Sequence, residues 1–184
     1  MFTYYEPDTA PKESKPLMEQ SLAGFGMIPN LHKILAEAPA TYKAYNQTFT
    51  SFMKETTFSP LEQQVVFMTS NFENNCHYCV PGHTWMMKSS KMPDDVIEAL
   101  RNGTELPDAK LQVLHDFTKA LLDNRGHIGD DKLNEFLNAG YTKRQALEVL
   151  TGLAAKLISN FTNALTHTEV DDAMKPYGWE KPEK

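Results

Sequence analysis

The chain has 184 residues, 41% hydrophobic and 23% charged, with a net charge of −6 and a pI near 5.5. That length suits one domain with a sizeable core and gives little reason to expect two. The acidic balance and the lack of any basic run argue against nucleic acid or an anionic membrane as partner, since either would leave a basic patch.

The first residues, MFTYYEPDTAPKESKP, lack the basic stretch and apolar run of a signal peptide. No apolar run approaches the roughly 18 residues of a membrane-spanning helix, so a cytoplasmic protein without a membrane partner is expected. In a reducing compartment two close cysteines are better explained by catalysis or metal binding than by a structural staple.

In chain order, residues 1–12 form a candidate mobile or partner-docking arm. A helical pattern follows in SKPLMEQSLAGFG, stopping at Gly24 or Gly26. A second begins after Pro29 with Asn30 as its expected cap, and a third runs from Ala40 to about Lys54. SPLEQQVVFMTSNFENN carries the signature of a capping box, with Ser59 as cap, Pro60 in the first helical position and Glu62 three residues after the cap. Leu61, Val65, Met68 and Phe72 then repeat at the 4-3-4 spacing of one apolar helix face.

Further helices are expected in PDDVIEALRNG, in PDAKLQVLHDFTKALLDNRG and in GDDKLNEFLNAG. The last, TKRQALEVLTGLAAKLISNFTNALTH, opens on a second capping box, Thr142 with Gln145, and shows an apolar repeat at Leu150, Leu153, Leu157 and Phe161. No hairpin dipeptide or alternating strand pattern occurs. The expectation is an all-α, single-domain bundle of seven or eight helices spanning residues 1–184.

Both cysteines lie in NNCHYCVPGH, residues 74–83. On a helix, Cys76, Cys79 and His83 fall within about 60° of one another, and His83 lies one turn beyond Cys79. A thiolate is the reactive form, and a nearby imidazole or a helix N-terminus favours it. Asn74 and Asn75 are candidate caps, and Pro81 fits best in a first turn, which would start the helix close to Cys79.

Three readings of the pair stay open on these residues: a redox dithiol, a zinc site, or two buried cysteines with a core histidine. A zinc site would need Cys76, Cys79 and His83, with His77, because the chain has no second cysteine pair. Haem attachment is excluded by Val80 directly after Cys79, and a thioredoxin-type site by the helical context. The expectation is a redox pair with no metal and no cofactor.

The sequence resembles the alkyl hydroperoxidase D-like (AhpD-like), peroxidase-related branch of the carboxymuconolactone decarboxylase family. Its C-x-x-C-x-x-x-H form matches Cys76, Cys79 and His83 without a gap. FGMIPNLHKILAEAPA and NALTHTEVDDAMKPYGW resemble the family's entry helices and closing segment, so the likeness covers most of the chain. The resemblance implies an all-α protein assembling into trimers or hexamers. It also implies reduction of hydroperoxides by the dithiol and re-reduction by a thiol or disulfide partner.

By that resemblance, one cysteine attacks the peroxide and the other resolves the sulfenic acid to a disulfide, and the one-turn spacing to His83 favours Cys79 as the attacking thiol and Cys76 as the resolving one. Family members place a relay glutamate about twelve residues before the first cysteine, where this chain has Gln64. Helical geometry turns Gln64 inward and leaves Glu62 and Glu73 toward solvent. Tyr78 stands where some members have a histidine.

On the last helix Lys156, Asn160, Asn163 and His167 make a polar stripe. It is read either as a solvated face or as a source of pocket or interface residues, with Asn160, Asn163 and His167 as candidates. His77 points away from the cysteines by roughly 100°. Trp85, Met86 and Met87 are read as core or subunit contacts. Two alternatives to the oxidoreductase are carried: decarboxylation of a small lactone, which needs no thiol pair, and a non-catalytic redox-sensing oligomer.

Overall fold

In the computed structural model, which describes residues 2–183, Pro and Gly punctuate nine α-helices, slightly more than the seven or eight expected. They are α1 Lys15–Phe25, α2 Asn30–Leu35, α3 Pro39–Glu55, α4 Pro60–Glu73, α5 Cys79–Ser89, α6 Asp94–Asn102, α7 Ala109–Asp123, α8 Asp130–Asn138 and α9 Lys143–Thr166. A 3-10 turn at Lys175–Tyr177 follows, and no strand occurs among the described residues. No helix among the described residues is long and apolar enough to cross a membrane.

Both expected capping boxes form. Ser59 caps α4 with Glu62 reaching back, and Thr142 caps α9 with Gln145 doing the same. These reciprocal bonds satisfy N–H groups that the helix itself leaves without partners. Gly26 and Gly103 end α1 and α6 in the left-handed conformation. At α2 the expectation fails. Pro29 occupies the cap position and Asn30 is already helical. Pro29 has no polar side chain to offer, and the Asn30 N–H donates instead to the Asp171 carboxylate, at 3.1 and 3.2 Å. A cap supplied from the far end of the chain leaves no local sequence signal.

Helix α4 is the axis of the fold, packed by α3, α5, α6, α7 and α9. The 4-3-4 spacing predicts one apolar face, but every residue from Gln63 to Phe72 is buried. Burial of polar groups on all sides requires partners for each. Gln63 donates to the Phe52 carbonyl at 3.0 Å and Thr69 to the Val65 carbonyl at 2.7 Å. Gln64, Ser70 and Asn71 find theirs in the site described below. Apolar packing on this axis includes Phe52, Phe67, Val66 and Met68, while Phe117, Phe136 and Tyr141 stack beneath α7 and α8.

Helix α9 shows the largest departure from the sequence reading. Leu150, Leu157 and Phe161, expected to face the core, are 47%, 54% and 56% exposed, and Leu147 and Leu165 join them. The face turned inward is Gln145, Val149, Gly152, Lys156, Asn160 and Asn163. Gly152 permits this close approach, because a Cβ there would meet Phe52 and Val66 at 2.9 Å. The polar stripe is therefore interior at Lys156, Asn160 and Asn163, and only His167 at its end is exposed.

Residues 2–12, read as a candidate mobile arm, lie against α2 and the closing segment. The Tyr5 N–H donates to the Lys33 carbonyl at 3.2 Å, and Tyr5 Oη to Glu37 at 2.8 Å. Tyr4 Oη accepts from the Glu169 N–H at 2.9 Å.

Candidate active site

The link between α4 and α5 sets the dithiol in place. Asn75 adopts φ 50°, a left-handed turn that asparagine tolerates, and the Cys76 N–H donates to the Asn71 carbonyl at 2.9 Å. Cys79 is then the first residue of α5, as the position of Pro81 suggested, and Asn74 and Asn75 do not serve as its caps. The Cys79 N–H donates to Cys76 Sγ at 3.1 Å. The two cysteines are joined as a disulfide, with Cα atoms 5.2 Å apart and little exposure of either residue. A sulfur accepting a backbone N–H at a helix start is placed where negative charge is favoured.

Side-chain amides from α9 complete the sulfur environment. Asn160 Nδ2 donates to Cys79 Sγ at 3.0 Å and to Asn71 Oδ1 at 2.9 Å. Asn163 Nδ2 donates to Cys79 Sγ at 3.2 Å and approaches Cys76 Sγ at 3.9 Å. Asn160 Oδ1 accepts from Ser70 Oγ and Asn74 Nδ2, which fixes the orientation of that amide. Asn163 Oδ1 is buried with no partner among the described residues.

His83 is engaged at both nitrogens, and neither contact is to sulfur. Its Nδ1 lies 2.8 Å from Gln64 Oε1, and its Nε2 lies 3.0 Å from Lys156 Nζ. The tautomer with hydrogen on Nδ1 satisfies both contacts, donating to Gln64 and accepting from Lys156. Phe67 closes this group, edge-on to His83 at 5.1 Å and under Lys156 Nζ at 5.4 Å. Burial, with Lys156 adding to it, pushes the His83 imidazole well below its ordinary value. Burial likewise brings the Lys156 ammonium down to about 7. Both shifts follow from removing charged forms from water with no counter-charge at hand.

Tyr78 anchors the closing segment. Its hydroxyl donates to Asp171 Oδ2 at 2.5 Å and accepts from the Leu31 N–H at 3.3 Å. His77 turns away from the sulfurs to meet the Thr168 carbonyl at 2.9 Å. His167 ends α9 as an exposed left-handed residue and does not reach the dithiol, because the helix stops there. No three His, Cys, Asp or Glu side chains converge as metal ligands among the described residues.

A cavity of about 50 Å³ opens beside Cys79 and is shared by His83 and Lys156. Its apolar walls include Phe25, Phe49, Trp85 and Met174. Trp85 and Met86, read from sequence as core or subunit contacts, both line it. Lys156 is the residue that the sequence reading did not select, although it lies one turn before Asn160 in the same polar stripe. A charged side chain between apolar helix residues was the available signal.

A helical fold of this connectivity, with a buried cysteine pair opening its fifth helix, defines an AhpD-like fold. Comparison with solved structures bears this out. The chain is similar to an alkylhydroperoxidase AhpD core, an uncharacterized peroxidase-related protein from Ralstonia eutropha JMP134. The TM-score is 0.84 at 16% identity, over 94% of this chain and 93% of that one. It is also similar to an uncharacterized peroxidase-related protein from Silicibacter sp. TM1040, with a TM-score of 0.72 at 19% identity over 92% and 88% of the two chains. A third similar structure is a cysteine-to-alanine variant of the debrominase Bmp8 in complex with 2,3,4-tribromopyrrole. Here the TM-score is 0.78 at 15% identity, over 96% and 94%. No family model matches the sequence, and no curated protein matches it.

Proposed function

We propose that the protein is a thiol-dependent oxidoreductase that reduces hydroperoxides through a Cys76/Cys79 dithiol–disulfide cycle. The observation that carries this reading is the cysteine pair itself, in which Cys79 lines a cavity and its Sγ accepts N–H groups from Asn160 and Asn163. Hydrogen bonds to sulfur favour the thiolate over the thiol. In the reduced protein the Cys79 thiolate attacks the distal peroxide oxygen, forming a sulfenic acid and releasing an alcohol. The Cys76 thiol then condenses with it, forming the disulfide and releasing water. A thiol or disulfide partner restores the pair.

The deciding experiment mixes reduced protein with an organic hydroperoxide under anaerobic conditions and follows thiol loss by intact mass. Disulfide formation within minutes is expected, and Cys79→Ser should abolish it. An unchanged mass counts against the reading. So would turnover of a small lactone by the double Cys→Ser protein, which would favour decarboxylation.

A second reading has an observation of its own. The cavity walls are aromatic, and one structurally similar protein is a debrominase solved with a tribromopyrrole. Reductive dehalogenation uses the same cycle: an aryl halide and two thiols give the arene, a disulfide and hydrogen halide. Halide release from a bromopyrrole by the reduced protein would select this reading over the peroxidase.

We further propose that the chain works as a homo-oligomer, a trimer or hexamer, held through the outer face of α9. Leu147, Leu150, Leu157, Phe161 and Leu165 are exposed there. Of the charged residues between them, Lys156 faces inward and Glu148 is held by Thr57 and Arg144. An uncharged apolar stripe of this length is interface composition.

A further inference from the structure

Lys156 is 1% exposed, and the only hydrogen-bonding partner of its Nζ among the described residues is His83 Nε2 at 3.0 Å. A buried ammonium normally has a carboxylate partner, because an unpaired charge costs several kcal/mol out of water. None is present. The titratable groups lining the cavity with it are His32 from α2, Tyr45 from α3, and Tyr78, Cys79 and His83 around the start of α5. From α4 it meets Phe67, while Gln64 reaches His83. His32 is held neutral by burial, far below its ordinary value at about 3, and both tyrosines are pushed up. Gln64 cannot take a proton. Lys156 and Cys79 are thus the groups around this cavity able to exchange a proton near neutral pH.

We propose that Lys156 is the proton carrier of the dithiol site, taking the Cys79 thiol proton into its amine and returning it to the oxygen that leaves the peroxide. The inference rests on the oxidoreductase reading above. The balance closes within the site. Cys79–SH gives its proton to the Lys156 amine. The thiolate then forms an S–O bond as the O–O bond breaks, and the alkoxide takes the proton from the Lys156 ammonium. The sum is Cys79–SH plus ROOH giving Cys79–SOH plus ROH, with Lys156 unchanged. The cavity of about 50 Å³ has room for water between the two residues. His83, fixed by Gln64, is a positioning residue: its Nε2 holds the amine beside the cavity.

The test compares two electrophiles on the reduced full-length protein and on Lys156→Met and Lys156→Arg. A hydroperoxide needs a proton on its leaving oxygen, whereas iodoacetamide releases iodide and needs none. Lys156→Met should slow peroxide oxidation of Cys79 by about 100-fold, the usual scale of general acid–base catalysis. It should slow alkylation much less and remove an inflection near pH 7 from the peroxide rate profile. Lys156→Arg keeps the charge but cannot deprotonate, and should be equally slow with peroxide. Retained peroxide activity in either variant overturns the inference, and so does an equal loss toward both electrophiles. If the unaltered protein alkylates readily but ignores hydroperoxide, the oxidoreductase reading falls and the inference with it. Circular dichroism of both variants identifies a loss caused by misfolding, in which case the pH inflection of the unaltered protein decides: its absence overturns the inference.

Discussion

Asn160 Nδ2 lies 3.0 Å from Cys79 Sγ and 2.9 Å from Asn71 Oδ1, so one amide from α9 ties the Cys79 sulfur to the central helix. Asn163 adds a second donor at 3.2 Å without entering that network. Asn163→Ala is therefore the cleaner variant. Its loss should raise the Cys79 thiol pKa of the reduced protein by about one unit, in line with one hydrogen bond to an ionised group. Thiolate ultraviolet absorbance against pH measures this. An unchanged titration would mean that the amide does not stabilise the thiolate.

Gln64 reaches His83 Nδ1 at 2.8 Å with an oxygen that cannot ionise. Gln64→Glu would put a carboxylate at the same point, and an opposite charge at that range favours the imidazolium by roughly 1–3 pKa units. His83, pushed well below its ordinary value in the unaltered protein, should then titrate at a higher pH. Imidazole proton resonances followed across pH give the answer. A His83 that titrates as before would contradict the contact.

Lys156 and His83 also set the pH dependence of stability. The Lys156 pKa falls from 10.5 unfolded to about 7 folded, so between these values the unfolded chain binds more protons and stability rises with pH. The burial penalty is full below about 7 and vanishes above 10.5. Lys156→Met should thus be more stable than the unaltered protein by on the order of 4 kcal/mol at pH 7, with the gain shrinking toward pH 10. His32 and His83, both neutral when folded, act in the same direction: stability declines as pH falls below 6.5, where the unfolded imidazoles protonate. Urea melts at several pH values test both slopes. A Lys156→Met gain independent of pH would refute the assignment.

The exposed stripe of α9 gives a prediction about assembly. Leu157→Glu with Phe161→Glu should convert the proposed trimer or hexamer to a monomer, read by light scattering after gel filtration. Both side chains point away from the site, so helical content should be kept. A monomeric unaltered protein at micromolar concentration would remove the basis of the proposal.

Much of the architecture was legible without coordinates. Ser59 with Glu62 and Thr142 with Gln145 announced the starts of α4 and α9, because capping is a contact between residues three apart. The inward direction of Gln64 followed from helical periodicity alone. The cap of α2 was not legible, since Asp171 reaches Asn30 from the other end of the chain. Nor was the partner of His83. Its one-turn spacing from Cys79 suggested sulfur, yet its nitrogens meet Gln64 and Lys156, residues on two other helices.

What the sequence by itself determined is the helical periodicity, the caps of α4 and α9 and the closeness of two cysteines at the start of a helix, all set within a turn or two of chain. What only the tertiary structure decided is which side of α9 faces in. Periodicity separates Leu150, Leu157 and Phe161 from Lys156, Asn160 and Asn163, but burial depends on what packs against each face. Here α3 and α4 cover the polar side, where Gly152 lets them approach and the sulfurs and His83 supply partners. The apolar side is left to the surface, and Lys156 is thereby placed on the cavity that Cys79 also lines.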